Sequence, residues 1–141
     1  MNVDAQVIAW LLTQAAVTAL LSNRIYPYGR IPQSALGEPS SQLPAATVWT
    51  ISSQPYYTTS RLESYQTNRV QIDIWARTGL EVATISDTID SVLSGFYGMM
   101  NEMDVGGVFR NAALPIEFEP ELRLYHGILD YAVHIHCIQE I

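Results

Sequence analysis

Arg69-Val70-Gln71-Ile72-Asp73-Ile74-Trp75-Ala76, followed at once by Arg77-Thr78-Gly79-Leu80-Glu81, is the stretch on which the fold turns. Val70, Ile72 and Ile74 alternate with Gln71, Asp73 and Trp75, the two-residue period of a strand with one apolar face. The strand predicted around this alternation runs from about Leu62 to Ala76. Thr78 to Glu81 forms a capping box: the Thr78 hydroxyl accepts a backbone N–H three residues on, and Glu81 reaches back. Behind it Val82, Ile85, Ile89, Val92, Leu93 and Phe96 recur at helical spacing, and Gly95 stands where a left-handed cap ends the helix. A strand and an amphipathic helix thus follow one another, each with an apolar face that the other can cover.

Towards the N-terminus, Asp4 is positioned to cap a first helix in which Val7, Ile8, Leu11, Leu12, Ala15 and Ala19 share a face. Thr13 offers an alternative start for a second short helix, Gln14 to Leu21. Arg24-Ile25-Tyr26-Pro27 leaves in extended form, because a residue before proline avoids the helical region. Pro27 to Pro44 is rich in Gly, Pro and Ser and predicts a long loop, of a length that usually serves a function. Ala46 to Ser52 is strand-like, and Gln54 to Thr59 turn-like.

Beyond the helix, Tyr97 to Asp104 predicts a Met-containing loop and Val105 to Asn111 a strand weakened by glycine. Pro115 to Pro120 alternates as a half-exposed strand does. Gly127 to Ile138 predicts a last strand, with Leu129, Tyr131, Val133, Ile135 and Cys137 on one face and Asp130, Ala132, His134 and His136 on the other. The order α-β-β-α-β-β-β predicts an α+β fold: one antiparallel-dominated sheet with helices packed on one face, as a single domain over residues 1–141.

The 141 residues carry a net charge of −7 with only 15% charged residues, and all seven basic residues are Arg. No basic run exists to grip phosphates by counterion release. The lone Cys137 excludes an internal disulfide and suits a reducing compartment as a buried thiol. The N-terminus lacks the basic region of a signal peptide, and the apolar stretch Val7 to Leu21 is too short and too polar to span a bilayer. A soluble protein made in the cytoplasm is expected, with no membrane partner.

Little in the chain points to chemistry. His134-x-His136, with His126 upstream, is the best metal candidate, since residues two apart on a strand share a face. Asp130 lies over about 10 Å from it along the strand at roughly 3.3 Å per residue, so the ligand set is short. Glu117/Glu119 and Asp87/Asp90 are neighbours on exposed faces, whereas acid–base pairs converge from separate elements. Cys137 points away from His134 and His136, and no nucleophile elbow or phosphate loop occurs. No catalytic residue, cofactor or metal is assigned. Trp49 is expected to pack; Trp75 suits a core or an interface equally, as aromatics are enriched in both.

Three stretches together carry a resemblance. Leu20-Leu21-Ser22-Asn23-Arg24-Ile25-Tyr26-Pro27, Leu43-Pro44-Ala45-Ala46-Thr47-Val48, and the strand-helix unit from Arg69-Val70-Gln71-Ile72-Asp73-Ile74-Trp75-Ala76 to Leu93-Ser94-Gly95-Phe96 resemble, in order, the tail terminator (tail completion) proteins of long-tailed bacteriophages. The Tyr97–Leu114 region carries none of the resemblance. The resemblance implies a structural virion protein and not an enzyme. It implies a hexameric ring that caps the tail tube at its head-proximal end, ends polymerisation of the major tail tube protein and offers a docking surface to the head connector or neck protein. DNA would pass through the lumen without specific binding, past an acidic wall, and assembly would take place in the bacterial host cytoplasm. Arg30, Tyr56, Tyr57, Tyr65 and Trp75 are the expected oligomer or tail contacts, and the Pro27–Pro44 loop or the Tyr56–Tyr65 segment is expected to reach a neighbour. The competing readings are a head completion or neck connector protein, a small metal-binding enzyme built on His134 and His136, and a host interaction module.

Overall fold

The computed structural model describes residues 2–28, 43–57 and 63–138. In chain order the elements are α1 (Val3–Leu12), α2 (Ala15–Leu21), β1 (Ile25–Pro27), β2 (Ala45–Tyr57), β3 (Glu63–Ala76), α3 (Gly79–Leu93), β4 (Gly98–Met100), β5 (Met103–Ala113), β6 (Glu117–Glu119) and β7 (Leu124–Ile138). The seven strands form one sheet in the order β1-β2-β3-β7-β5-β4, with β6 paired to β7 beyond the end of β5. Every pairing is antiparallel except β1 on β2. The α+β class is as the alternation and capping box imply.

The β3–β7 pair is the axis of the sheet, in register from Glu63 opposite Ile138 to Ala76 opposite Tyr125. Val70, Ile72 and Ile74 of β3 and Leu129, Tyr131, Val133 and Ile135 of β7 are buried in one core with Val7 and Leu11 of α1, Val17 and Leu21 of α2, and Val82, Ile85, Ile89 and Leu93 of α3. The helices therefore cover one face of the sheet. The Thr78 hydroxyl accepts the Glu81 N–H at 3.1 Å, and Gly95 takes φ +81° beyond the last turn. α3 lies so close to β7 that a Cβ on Gly127 would stand 2.6 Å from Val82 Cγ1. Tyr131, buried in that core, donates its hydroxyl hydrogen to Asp90 Oδ1 of α3 at 2.8 Å. Burial first, and that hydrogen bond second, push the phenol above the usual tyrosine range.

Four expectations change. The first helix is two: Thr13 ends α1 with its hydroxyl on the Trp10 carbonyl at 2.6 Å, and α2 follows at 93°. No single described helix is long and apolar enough to cross a membrane. Asp4 does not cap α1; Asn2 does, accepting the Ala5 N–H at 3.1 Å. Asp4 is instead buried and accepts from both the N–H and the hydroxyl of Thr50 on β2, so a tertiary bond outbids the local cap. Gln54 to Tyr57 is strand, not turn, because β2 pairs with β3 as far as Tyr57 opposite Ser64 after an irregularity between Thr50 and Ser52. The expected Met loop is the hairpin β4–β5, closed by a two-residue turn in which Asn101 takes φ +56°. Met100 and Met103 flank that turn fully buried.

Candidate assembly surfaces

Because side chains alternate along a strand, the helix-covered face fixes what the other face displays. Its middle rows are charged pairs and stacked rings. Arg69 directs Nε and Nη2 to Asp130 Oδ2 at 2.9 and 2.7 Å, and this contact raises the pKa of the guanidinium further. The Trp75 and His126 rings stack at 3.7 Å with 6° between their planes. His126 Nε2 lies 3.3 Å from Asp73, and Nδ1 3.9 Å from Glu119. Further along, His134 meets Thr67 at 2.9 Å, and His136 stacks on Tyr65 at 4.8 Å while facing Asp104 at 3.4 Å. His134 and His136 thus turn to different partners, which is why the metal reading finds no support there. Among the described residues no group of three His, Cys, Asp or Glu is disposed to hold a metal.

The expected contact residues do not form one cluster. Tyr56 and Tyr65 are cross-strand partners at the far end of β2 and β3, and Tyr57, 84% exposed, stands beside them. Tyr56 and Tyr65, with His134 and His136, border a cavity of about 270 Å³. Trp75 is at the opposite end of β3, ten residues and roughly 33 Å of strand from Tyr65, half-buried under His126. Arg30, and residues 29–42 of the expected loop, lie outside the described residues. The Tyr56–Tyr65 segment is described at both ends but not at 58–62.

Trp49, expected to pack, is instead 48% exposed: it stands opposite Gln71, on the sheet face that no helix covers. It belongs to a pattern that residue-by-residue reading missed. Thirteen large hydrophobic side chains are exposed among the described residues. Six belong to the β1–β2 side of the sheet: Tyr28, Trp49, Ile51, Tyr56, Tyr57 and, on the next strand, Tyr65. Six belong to the β4–β5–β6 side: Tyr97, Met99, Phe109, Leu114, Ile116 and Phe118. Leu80, on α3, is the remaining one. The exposed apolar surface is therefore divided between the two opposite margins of one sheet. The alternation in Pro115 to Pro120, which reads as a half-exposed strand, runs through the second margin, where β6 pairs with β7 alone.

The chain matches the family described as Tail completion protein gp17 over residues 5–136. No curated protein matches it. Among solved structures it is similar to a chain of the virion of a native gene transfer agent (GTA) particle, with a TM-score of 0.68 and 12% identity, covering 96% of this chain and 95% of that one. At that identity the likeness speaks for the fold, which is shared along nearly the whole length. Since the family match spans almost the entire sheet and all three helices, the chain belongs to the Tail completion protein gp17 family and is a structural component of the phage virion tail.

Proposed function

We propose that the protein forms a closed ring, hexameric as its family resemblance implies, on the head-proximal end of the tail tube. There it stops addition of the major tail tube protein and receives the head connector, without catalysing a reaction. The observation that carries this reading is the division of exposed apolar side chains between opposite sheet margins. A subunit with one sticky patch makes a two-fold dimer; a subunit with two different patches on opposite sides makes head-to-tail contacts, which close into a ring when the rotation allows. The margins are aromatic-rich, as interface cores are.

The acidic balance suits a lumen through which DNA slides. With a net charge of −7 and no basic run, the wall offers phosphates no counterion-releasing grip. Tyr56, Tyr57 and Tyr65, at the far end of the sheet, are proposed as contacts to a neighbour or to the tube. Trp75, held under His126, is proposed as a contact only at its exposed edge.

Electron microscopy of the purified protein, alone and mixed with tail tubes, tests the reading. Rings, or caps confined to one tube end, are expected. A protein that stays monomeric and ignores tubes overturns it, and attachment to DNA-filled heads instead would make it a neck connector.

A further inference from the structure

We propose that neighbouring subunits join by antiparallel strand addition, the open edge of β2 in one copy pairing with the open edge of β5 in the next, while β6 comes to lie beside Arg24. This rests on the ring reading and names the contact that makes it.

Strand polarity comes first. β3 runs against β2, β7 against β3, and both β5 and β6 against β7. β2 at one margin therefore points opposite to β5 and β6 at the other. A second copy laid beside the first by rotation, without being turned over, brings the two margins together as an antiparallel pair, the more favourable ladder. Had the margins pointed the same way, the same rotation would have produced the weaker parallel pairing.

Both edges are open among the described residues. β1 covers β2 only at Ala46 to Val48, leaving Trp49 to Tyr57 without an outer strand. β4 covers β5 only at Met103 to Val105, and the Gly95 N–H bonded to the Val108 carbonyl is the last backbone bond on that side. β6 pairs with β7 alone. Among the described residues the first edge is capped by charge at Thr50, whose N–H is taken by Asp4; beyond it Ile51 to Tyr57 carries no charged residue, and there is no Lys in the chain. Monomeric proteins protect long edges with Lys, Pro or inward charges, and beyond Thr50 Pro55 alone removes one donor.

Charge complementarity fixes the same partner. Glu117 of β6 pairs with His126, His126 with Trp75, and Trp75 with Ala45. Beside Ala45, on the far side of the sheet, Arg24 accepts the Ala46 N–H at its carbonyl. Arg24 and the exposed Glu117 thus occupy one row of the sheet at opposite margins. The Arg24 Nε donates to the Pro44 carbonyl at 2.7 Å within its own subunit, and a copy placed alongside in the same sense brings the rest of that guanidinium towards the carboxylate of the next.

The test uses two blocked variants of the full chain. Trp49→Lys/Tyr57→Lys closes the β2 margin and Phe109→Lys/Phe118→Lys closes the other; all four side chains are exposed, so the fold should survive, as thermal melts check. In sedimentation, each variant alone is expected to be monomeric at concentrations where the unaltered protein forms rings. Mixed one to one, they are expected to give a species of twice the monomer mass and nothing larger, since each keeps one working margin. Rings in either variant, or two monomers that stay apart when mixed, overturn strand addition while the ring reading stands. An unaltered protein that rings neither alone nor on tail tubes overturns both. If a double variant melts early, Tyr57→Lys and Phe118→Lys singly carry the same measurement.

Discussion

β3 is one strand with two halves, and the contrast between them is instructive. On the helix side its near half presents Val70, Ile72, Ile74 and Ala76, each at most 1% exposed. On the same side its far half presents Gln66 and Asn68, bonded to each other and to Ser53 of β2. β2 divides in the same place: Ala45 to Val48 are buried, and Ser52 to Tyr57 are all exposed. β7 behaves differently, staying buried as far as Ile135 with Met100, Met103 and Val105 in the same core. The near half is thus held by burial, at about 1.5–3 kcal/mol for each large aliphatic side chain. The far half has the ladder, but what β3 buries there is the polar Asn68. A ribbon that outlasts its own core is not explained by folding alone, and its length suits contacts outside the subunit.

The largest effect is expected from attacking the near half. Ile72→Ala empties a fully buried site between both strands and the helices, and should cost about 2–5 kcal/mol in denaturant unfolding. Tyr57→Ala in the far half should leave the unfolding midpoint within about 0.5 kcal/mol of the parent, as surface changes do. Equal losses at the two positions would abolish the contrast.

Next comes the boundary itself. Asp4 fastens α1 to Thr50 where the cover ends, accepting the backbone N–H at 2.8 Å and the hydroxyl as well. Hydrogen bonds to a charged group contribute about 1.5–3 kcal/mol each. Asp4→Ala should therefore destabilise markedly, and amide exchange should quicken at Thr50 and onward along β2 while the Ile72 and Ile74 amides keep their protection. Uniform loss of protection would mean that the ribbon opens as one unit. A somewhat smaller cost, about 1–3 kcal/mol for overpacking, is expected for Gly127→Ala, whose new methyl group would press on Val82 and lift α3 from the near half. A parent-like melt for that variant would show that α3 has room to shift.

Legibility in the sequence follows the same boundary. Where one face is buried, a one-residue slip would expose every apolar side chain, so the Val70–Ile74 alternation and the Thr78 cap identify strand and helix unaided. Gln54 to Tyr57 is polar and contains proline, and reads as a turn because its strand conformation is imposed by β3. Asp4 obeys the capping statistics in sequence and breaks them in space, since Thr50 lies 46 residues away. Tyr56, Tyr57 and Tyr65 read equally as exposed contacts or as a turn covering the core edge, and all three are exposed. That they form one of two opposed margins was not legible, because this depends on β7 lying between β3 and β5, an order of strands that no local pattern encodes. Trp75 read equally as core or as interface, and in the subunit it is half-buried beneath a stacked histidine.

The smallest expected effect is the most discriminating. Asn68 is fully buried, its carbonyl oxygen accepts from Ser53 and Gln66, and its Nδ2 has no partner within the subunit. It borders a cleft of about 530 Å³ with Asn2, Tyr28 and Trp49, at the β2 margin. An unpartnered buried donor costs about 1–3 kcal/mol, whereas replacing a polar group by an apolar one of similar shape can be nearly neutral. Asn68→Val removes that cost together with two hydrogen bonds whose other members, Ser53 and Gln66, can turn to water. The melt should move by less than about 1 kcal/mol in either direction. Valine also extends the Val70–Ile74 alternation by one step, giving the far half the character of the near half. A loss of several kcal/mol would mean that the polar row is itself a structural element of the subunit, and that the far half is held by its own network rather than left without a core.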